Sequence, residues 1–217
     1  MYIDKFTTRQ IMTERFYEYH HYRDVNPFAV DFHQHAFYEI FIFISGDVNY
    51  IVEGRTYKLR PGDIMLTNNS DIHCPEITSA KYPYERIVIW LDNSFFNRLR
   101  DIGEDLTTCF QDASNRNYRL FRPSEAQLRQ IQSACHTIEQ ERMNGQLGNQ
   151  VMAYSSIMEI LVLLSRAYYE ISDSAQQDVT ENEQINQVVS YINNHFDEDL
   201  SLDHLADRFY LSKYYLS

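Results

Sequence analysis

The sequence predicts a mainly β fold with helices behind it: a sandwich or barrel of short strands over residues 1–92, helices over 93–172, a polar linker at 173–184 and a small helical unit over 185–217. Three observations predict this. Before residue 92, short apolar runs with period-2 patterning are separated by turn signals at roughly 8–12 residue spacing. After residue 94 the apolar positions recur at three-to-four spacing. Between the helical stretches, DSAQQDVTENEQ carries no periodic apolar stripe and reads as a linker.

Composition sets the bounds. The 217 residues are 44% hydrophobic and 23% charged, which suits one sizeable core and a second small unit. The net charge of −12 argues against a chain that coats nucleic acid or an anionic membrane unaided. Cys74, Cys109 and Cys135 are odd in number, far apart and in no CxxC pair, as expected of reduced thiols in the cytoplasm. MYIDKFTTRQIM mixes charges with apolar residues and shows no secretory signal. The apolar run Ile157 to Leu164 contains Glu159 and is too short to span a bilayer.

The strands follow in order. DFHQHAFYEIFIFIS is the first strong one, closed by Ser45-Gly46-Asp47. Glu53-Gly54 lies between YIV and TYKL and reads as a hairpin turn. Pro61-Gly62-Asp63 turns the chain before IML, and Asn68-Asn69-Ser70-Asp71 turns it before His73. YERIVIWL is the last clear strand. Ser124 is then placed to cap a helix, with Gln127 as its capping-box partner and Leu128, Ile131, Ala134, Cys135 and Ile138 as the apolar stripe. A second helix runs through Val151, Tyr154, Ile157, Leu161 and Leu164. Its centre, Ile160 to Leu164, is apolar nearly all round and needs cover on more than one side. A second copy of the chain, giving a homodimer, is the expected cover; packing against its own barrel is the alternative. Beyond the linker, Ile185, Val188, Val189, Ile192 and Phe196 share one helix face. Ser201 caps LDHLADRF and Ser212 caps KYYLS, a helix-turn-helix candidate.

The chemistry concentrates in DFHQHAFYEIFIFISG, residues 31–46. On a strand, His33, His35 and Glu39 point the same way as Phe37, Phe41 and Phe43, while Tyr38, Ile40, Ile42 and Ile44 take the other face. Both faces are apolar, so the strand is expected to be buried on both sides, one facing a barrel interior. Two imidazoles and a carboxylate there need partners. One divalent cation, zinc, nickel, iron or manganese, would satisfy all three. The alternative without metal is hydrogen bonding of the histidines to Glu39 and backbone carbonyls. His20, His21, His136, His195 and His204 are read as surface or packing histidines.

His33-x-His35-x3-Glu39-x6-Gly46 resembles the first motif of the cupin (double-stranded β-helix) barrels, and Gly54, Pro61 and Gly62 resemble the skeleton of the second. The resemblance adds His73 as the last ligand, giving a metal set of His33, His35, Glu39 and His73. With the helices, the linker and Leu202, Leu205, Ala206, Leu211 and Ser212, the whole chain resembles an AraC/XylS-type transcription regulator. That family carries two helix-turn-helix units, of which this chain holds the start of the first.

The resemblance implies a small-molecule effector, such as a sugar or related metabolite, in the barrel, and promoter DNA as a partner of the full-length protein. Phe37, Phe41, Tyr50, Arg86 and Trp90 have the right chemistry for a sugar, beside His33, His35, Glu39 and His73, although core packing would use the same residues. The segment RFYEYHHYRDVN is placed as a lid over the mouth or, more plainly, as an edge strand. DNA-facing candidates are Ser201, Ser212, Lys213, Tyr214 and Ser217. From Asn182 onward there are two Lys/Arg against six Asp/Glu, so this chain alone is expected to bind DNA weakly or not at all. No catalytic residue is assigned. The competing classes are a cupin metalloenzyme and a metal- or sugar-binding module without chemistry.

Overall fold

The computed structural model describes residues 3–27, 29–170, 179–181, 183–196, 198 and 200–213. Two antiparallel sheets are the walls of a barrel. The first has the order β1 (Tyr17–Asp24), β7 (Tyr84–Leu91), β2 (Tyr38–Ser45), β5 (Ile64–Thr67), β8 (Leu120–Phe121). The second has the order β6 (His73–Ser79), β3 (Asp47–Val52), β4 (Arg55–Lys58), β9 (Val179–Glu181). The β3–β4 turn is made by Glu53 and Gly54 with φ of 47° and 74°, the paired left-handed geometry that matches strand twist in a two-residue hairpin. At Gly62, φ is 94° and an added Cβ would lie 2.9 Å from Leu128, so the turn before β5 sits directly beneath a helix.

The strand register sorts side chains into two cores. Between the sheets lie Phe37, Phe41, Phe43, Tyr50, Tyr57 and Trp90. On the outer face of the first sheet lie Tyr38, Ile40, Ile42, Ile64 and Ile89. The two faces of β2 therefore divide as the alternation predicts. Strand geometry starts only at Tyr38, however; His33 forms an isolated antiparallel bridge with His73, and residues 34–37 are not in a strand.

Helices α1 (Asn93–Arg100), α2 (Thr108–Asn115), α3 (Glu125–Asn144) and α4 (Asn149–Glu170) cover the outer face. Ser124 and Gln127 form the full capping box at the start of α3, which ends in a left-handed Gly145. Ile157, Ile160, Leu161 and Leu164 of α4 are fully buried in the shared core with α1, α2 and α3, and Val162 and Leu163 are half-buried. The cover predicted from a second copy is thus largely supplied by the chain itself. Around the α3–α4 junction Met143, Leu147, Val151 and Met152 are left exposed.

Two features differ from the segmentation read in the sequence. Val179–Glu181, inside the predicted linker, pairs with β4, because a sheet edge offers hydrogen bonds even to a short polar segment. The helix after it, α5 (Glu183–Asn194), stops before Phe196, which is 81% exposed; Val188 and Tyr191 carry its buried face instead. Tyr191 packs on Phe209 of α6 (Leu202–Phe209). Ser201 caps α6 by accepting from the His204 amide, and a left-handed Tyr210 ends it. Among the described residues no helix is long and apolar enough to cross a membrane.

Candidate functional site in the barrel interior

Three histidines converge at one end of the barrel. His33 and His73 exchange both backbone hydrogen bonds, at 3.1 and 2.9 Å, which brings their rings to 4.3 Å. His35 joins them, its ring 4.8 Å from that of His73 and stacked on Phe37 at 3.8 Å. Each ring is oriented by the same device. Nδ1 of His33 meets the Asp31 carbonyl at 2.8 Å, Nδ1 of His35 the Phe37 carbonyl at 2.8 Å, and Nδ1 of His73 the Asp71 carbonyl at 2.9 Å. A carbonyl only accepts, so each Nδ1 carries a proton, and in the neutral ring each Nε2 presents a lone pair.

One ligand atom from each of the three lies within 4.8 Å of the others. The Nε2 atoms of His35 and His73 are buried and have no hydrogen-bond partner among the described residues. They face the Glu39 carboxylate at 3.5 and 4.0 Å; with both rings neutral, lone pair meets lone pair there. Burial pushes the His73 pKa down to about 4, so a proton is an expensive way to relieve that repulsion. Three imidazoles, each offering one ligand atom within 4.8 Å of the others, with His35 and His73 buried and His33 half-buried, fit a divalent metal.

Glu39 stands differently from the other three. Its Oε1 accepts from the Tyr50 hydroxyl at 2.9 Å and its Oε2 from Trp90 Nε1 at 2.8 Å. Burial alone would raise its pKa; positive charge on the His35 and His73 side, with the Trp90 N–H, outweighs burial and holds it below the usual carboxylate range, so the carboxylate is matched to a cation at the imidazoles. Glu39 thus supplies fixed negative charge beside the imidazoles while both of its oxygens are engaged.

Among the other expected ligand contacts, Phe41, Tyr50, Arg86 and Trp90 line the interior cavity, whereas Phe37 is taken up in stacking on His35. Arg86 is already committed: it pairs with Asp24 and lies against the rings of Phe6, Tyr22 and Tyr84. Sequence reasoning missed Tyr84 and Gln10, whose hydroxyl and side-chain carbonyl oxygens are buried in the interior without a partner. Tyr84 shares the parity of Arg86 and Trp90 on β7, and that alternation would have found it. Gln10 carried no signal, because it belongs to an irregular arm.

That arm also corrects the lid. RFYEYHHYRDVN contributes β1, an edge strand paired with β7, since its alternating aromatics fit a half-buried pleat. The cover over the mouth comes from Phe6, Thr7, Arg9 and Gln10. Glu18 holds it, accepting from Arg9, from the Thr13 hydroxyl at 3.1 Å and from the Glu14 amide at 2.9 Å. The space left beneath is about 50 Å³, enough for a few waters.

A second scaffold stands behind His73. Arg119 is buried and forms a bidentate pair with Asp71 at 3.0 and 3.0 Å, and Asp71 supplies the carbonyl that orients His73. Arg119 adjoins β8, so the helical half of the chain helps to set the site.

At the other end of the chain, the Ser201 side chain is used as a helix cap and Lys213 pairs with Asp203. Ser212 is exposed, between the end of α6 and Lys213. Tyr214 and Ser217 lie outside the described residues.

Comparison with known proteins agrees with this architecture. Residues 15–179 match the family model described as "AraC-like ligand binding domain". The chain belongs to that family. It is similar to the HTH-type transcriptional activator RhaS of Enterobacter sp. (strain 638), at 24% identity over 83% of this chain and 61% of that protein. RhaS of Salmonella arizonae is similar at 26% identity over the same shares. The chain therefore spans about three fifths of the length of these curated relatives. Among solved structures, apo ToxT from Vibrio cholerae, in a variant form, shares the fold at a TM-score of 0.51 and 10% identity, over 92% of this chain and 72% of that one.

Proposed function

We propose that this chain is the sensing portion of a cytoplasmic, ligand-responsive transcription regulator rather than an enzyme. The observation that carries this reading is the set of three imidazoles, each with Nδ1–H held by a backbone carbonyl and each with one ligand atom within 4.8 Å of the others, beneath a closed arm. His33, His35 and His73 would hold one divalent metal, with Glu39 as the compensating charge beside it. A bound metal would supply a Lewis-acidic anchor for an effector oxygen.

The effector is a small molecule with hydroxyl or carboxylate oxygens, a sugar being one such class. Phe41, Tyr50 and Trp90 offer aromatic walls, and Tyr84 and Gln10 offer unengaged polar atoms. A guest of that size needs roughly 300 Å³ or more. It enters as the arm withdraws, and its differential affinity for the two arm positions is the free energy available for signalling. Pairing of β9 with β4 supports an output route, since β9 leads straight into α5 and the helix-turn-helix. Promoter DNA is the partner of the whole protein. With Lys213 tied to Asp203 and few other cations nearby, this chain alone binds DNA weakly. The exposed patch at Met143, Leu147, Val151 and Met152 is the proposed homodimer contact.

Metal analysis of untagged protein tests the site. About one zinc, nickel, iron or manganese per chain is expected in the wild type, and none in His73→Ala. Metal-free protein with no thermal shift on adding any of the four would remove the metal and leave the imidazoles to bond the effector directly. A band shift of sub-micromolar affinity at low salt would overturn the expectation for DNA.

A further inference from the structure

The ionisable cluster that the barrel site does not use lies on the opposite face of the first sheet. His21 is 1% exposed, where the sequence alone suggests a surface or packing residue. Its Nδ1 lies 2.7 Å from Glu139 of α3, and its Nε2 lies 3.0 Å from Glu85 of β7. Each contact needs a proton between its two atoms. One imidazole and two carboxylates holding two such protons carry a net charge of −1, whichever atoms the protons sit on. Arg23 offsets this only from the outer side, 3.3 Å from the second oxygen of Glu85. Glu139 accepts from the Tyr19 hydroxyl and meets His21 through the same oxygen, Oε1. Among the described residues nothing hydrogen-bonds its Oε2.

This cluster floors a cavity of about 390 Å³ between α3 and the sheet. That volume lies in the range of small-molecule sites, whereas the barrel interior, at about 50 Å³, does not. Ile42, Ile44 and Ile87 form its sheet wall, Leu128 and Ile131 its helix wall, and Gln132 stands at its rim. An apolar pocket with one convergent, buried, under-engaged carboxylate selects a ligand with an apolar body and a single cationic donor.

We infer that the cleft between α3 and the outer face of the first sheet is a second small-molecule site, distinct from the barrel interior, for an amphipathic amine whose ammonium bonds Oε2 of Glu139. Its occupant would bridge α3 to the sheet, so it would act on the helices directly rather than through the arm.

Phenethylamine is the probe, with hydrocinnamate as a near-isosteric anion. At ten times its Kd the amine is expected to raise the Tm of the full chain by roughly 3 °C, and hydrocinnamate to leave it unchanged. Gln132→Trp, a rim change at an exposed position, fills the cleft and abolishes the shift. Glu139→Gln keeps the shape, removes the charge and abolishes it as well. His73→Ala, in the barrel, retains the full shift, which separates this site from the proposed sensor. No shift at tens of millimolar amine, an equal shift with hydrocinnamate, or a shift that survives Gln132→Trp would each overturn the inference.

Discussion

The two faces of β2 are buried almost equally, yet they are built for different ends. Towards the helices, Tyr38, Ile40 and Ile42 join a core of aliphatic and aromatic side chains closed by four helices. Towards the second sheet, Phe41 and Phe43, with Phe37 just before the strand, share their space with Glu39 and the histidines. The buried polar atoms without partners on that side, His35 Nε2, His73 Nε2, Tyr84 OH and Gln10 Oε1, gather at or beside one cavity. A core that only stabilises has no reason to keep such atoms, because each costs about 1–3 kcal/mol. The difference teaches that burial alone does not mark a site; unmet valence inside the burial does.

The comparison can be broken or sharpened by substitution. The largest effect is expected from Arg119→Met, which strands the buried Asp71 carboxylate and should cost about 3–5 kcal/mol by urea unfolding. The same variant should weaken zinc uptake, because the loop carrying the His73 partner loses its anchor. If uptake were unchanged, Arg119 would be part of the fold and not of the site. Next, Ile40→Ala on the helix side should cost about 2–5 kcal/mol while leaving zinc affinity within twofold of wild type. A large loss of zinc binding there would show that the two faces are not independent.

A smaller effect concerns the arm. Glu18 has its pKa lowered to about 2; burial opposes this, but Arg9, the Thr13 and Glu14 amides and His20 outweigh it. A depressed carboxylate contributes stability that is complete above its unfolded pKa and lost as pH falls. The wild-type advantage over Glu18→Gln should therefore hold at pH 6 and fade as pH drops from about 4.5 to about 2, read from urea midpoints. Cleavage of the arm by trypsin at Arg9 should rise in the variant at neutral pH. Unchanged cleavage would mean that Glu18 does not hold the cover. The smallest stability change is expected for His35→Leu, a loss of about 1–2 kcal/mol, since it removes the unpartnered Nε2 but also the Nδ1–H bond to the buried Phe37 carbonyl. Zinc uptake should nonetheless be lost; a fully folded variant that still takes up zinc would remove His35 from the site.

Much of this was legible in the chain. Turn chemistry placed Glu53-Gly54, Pro61-Gly62 and the Asn68–Asp71 turn, because left-handed and sharply turned backbone restricts residue choice to a few types. Alternation assigned Phe41 and Ile42 to opposite faces, and Ser124 with Gln127 announced the start of α3. The short helices α1 and α2, the two-residue β8 and the β9 pairing were not legible, because segments this short carry too little periodicity to outweigh tertiary contacts.

What the sequence determined by itself was every property that is local: strand parity, turns, caps and the closeness of His33 to His35. What only the tertiary structure decided was every property that needs residues distant along the chain. It brought His73 onto His33, set Arg119 behind Asp71, spent the oxygens of Glu39 on Tyr50 and Trp90, laid residues 6–10 over the mouth, and buried His21 between Glu85 and Glu139. The physical reason is that a side chain's partners, and hence its charge and its free valence, are set by the dense packing around it, which no single segment encodes.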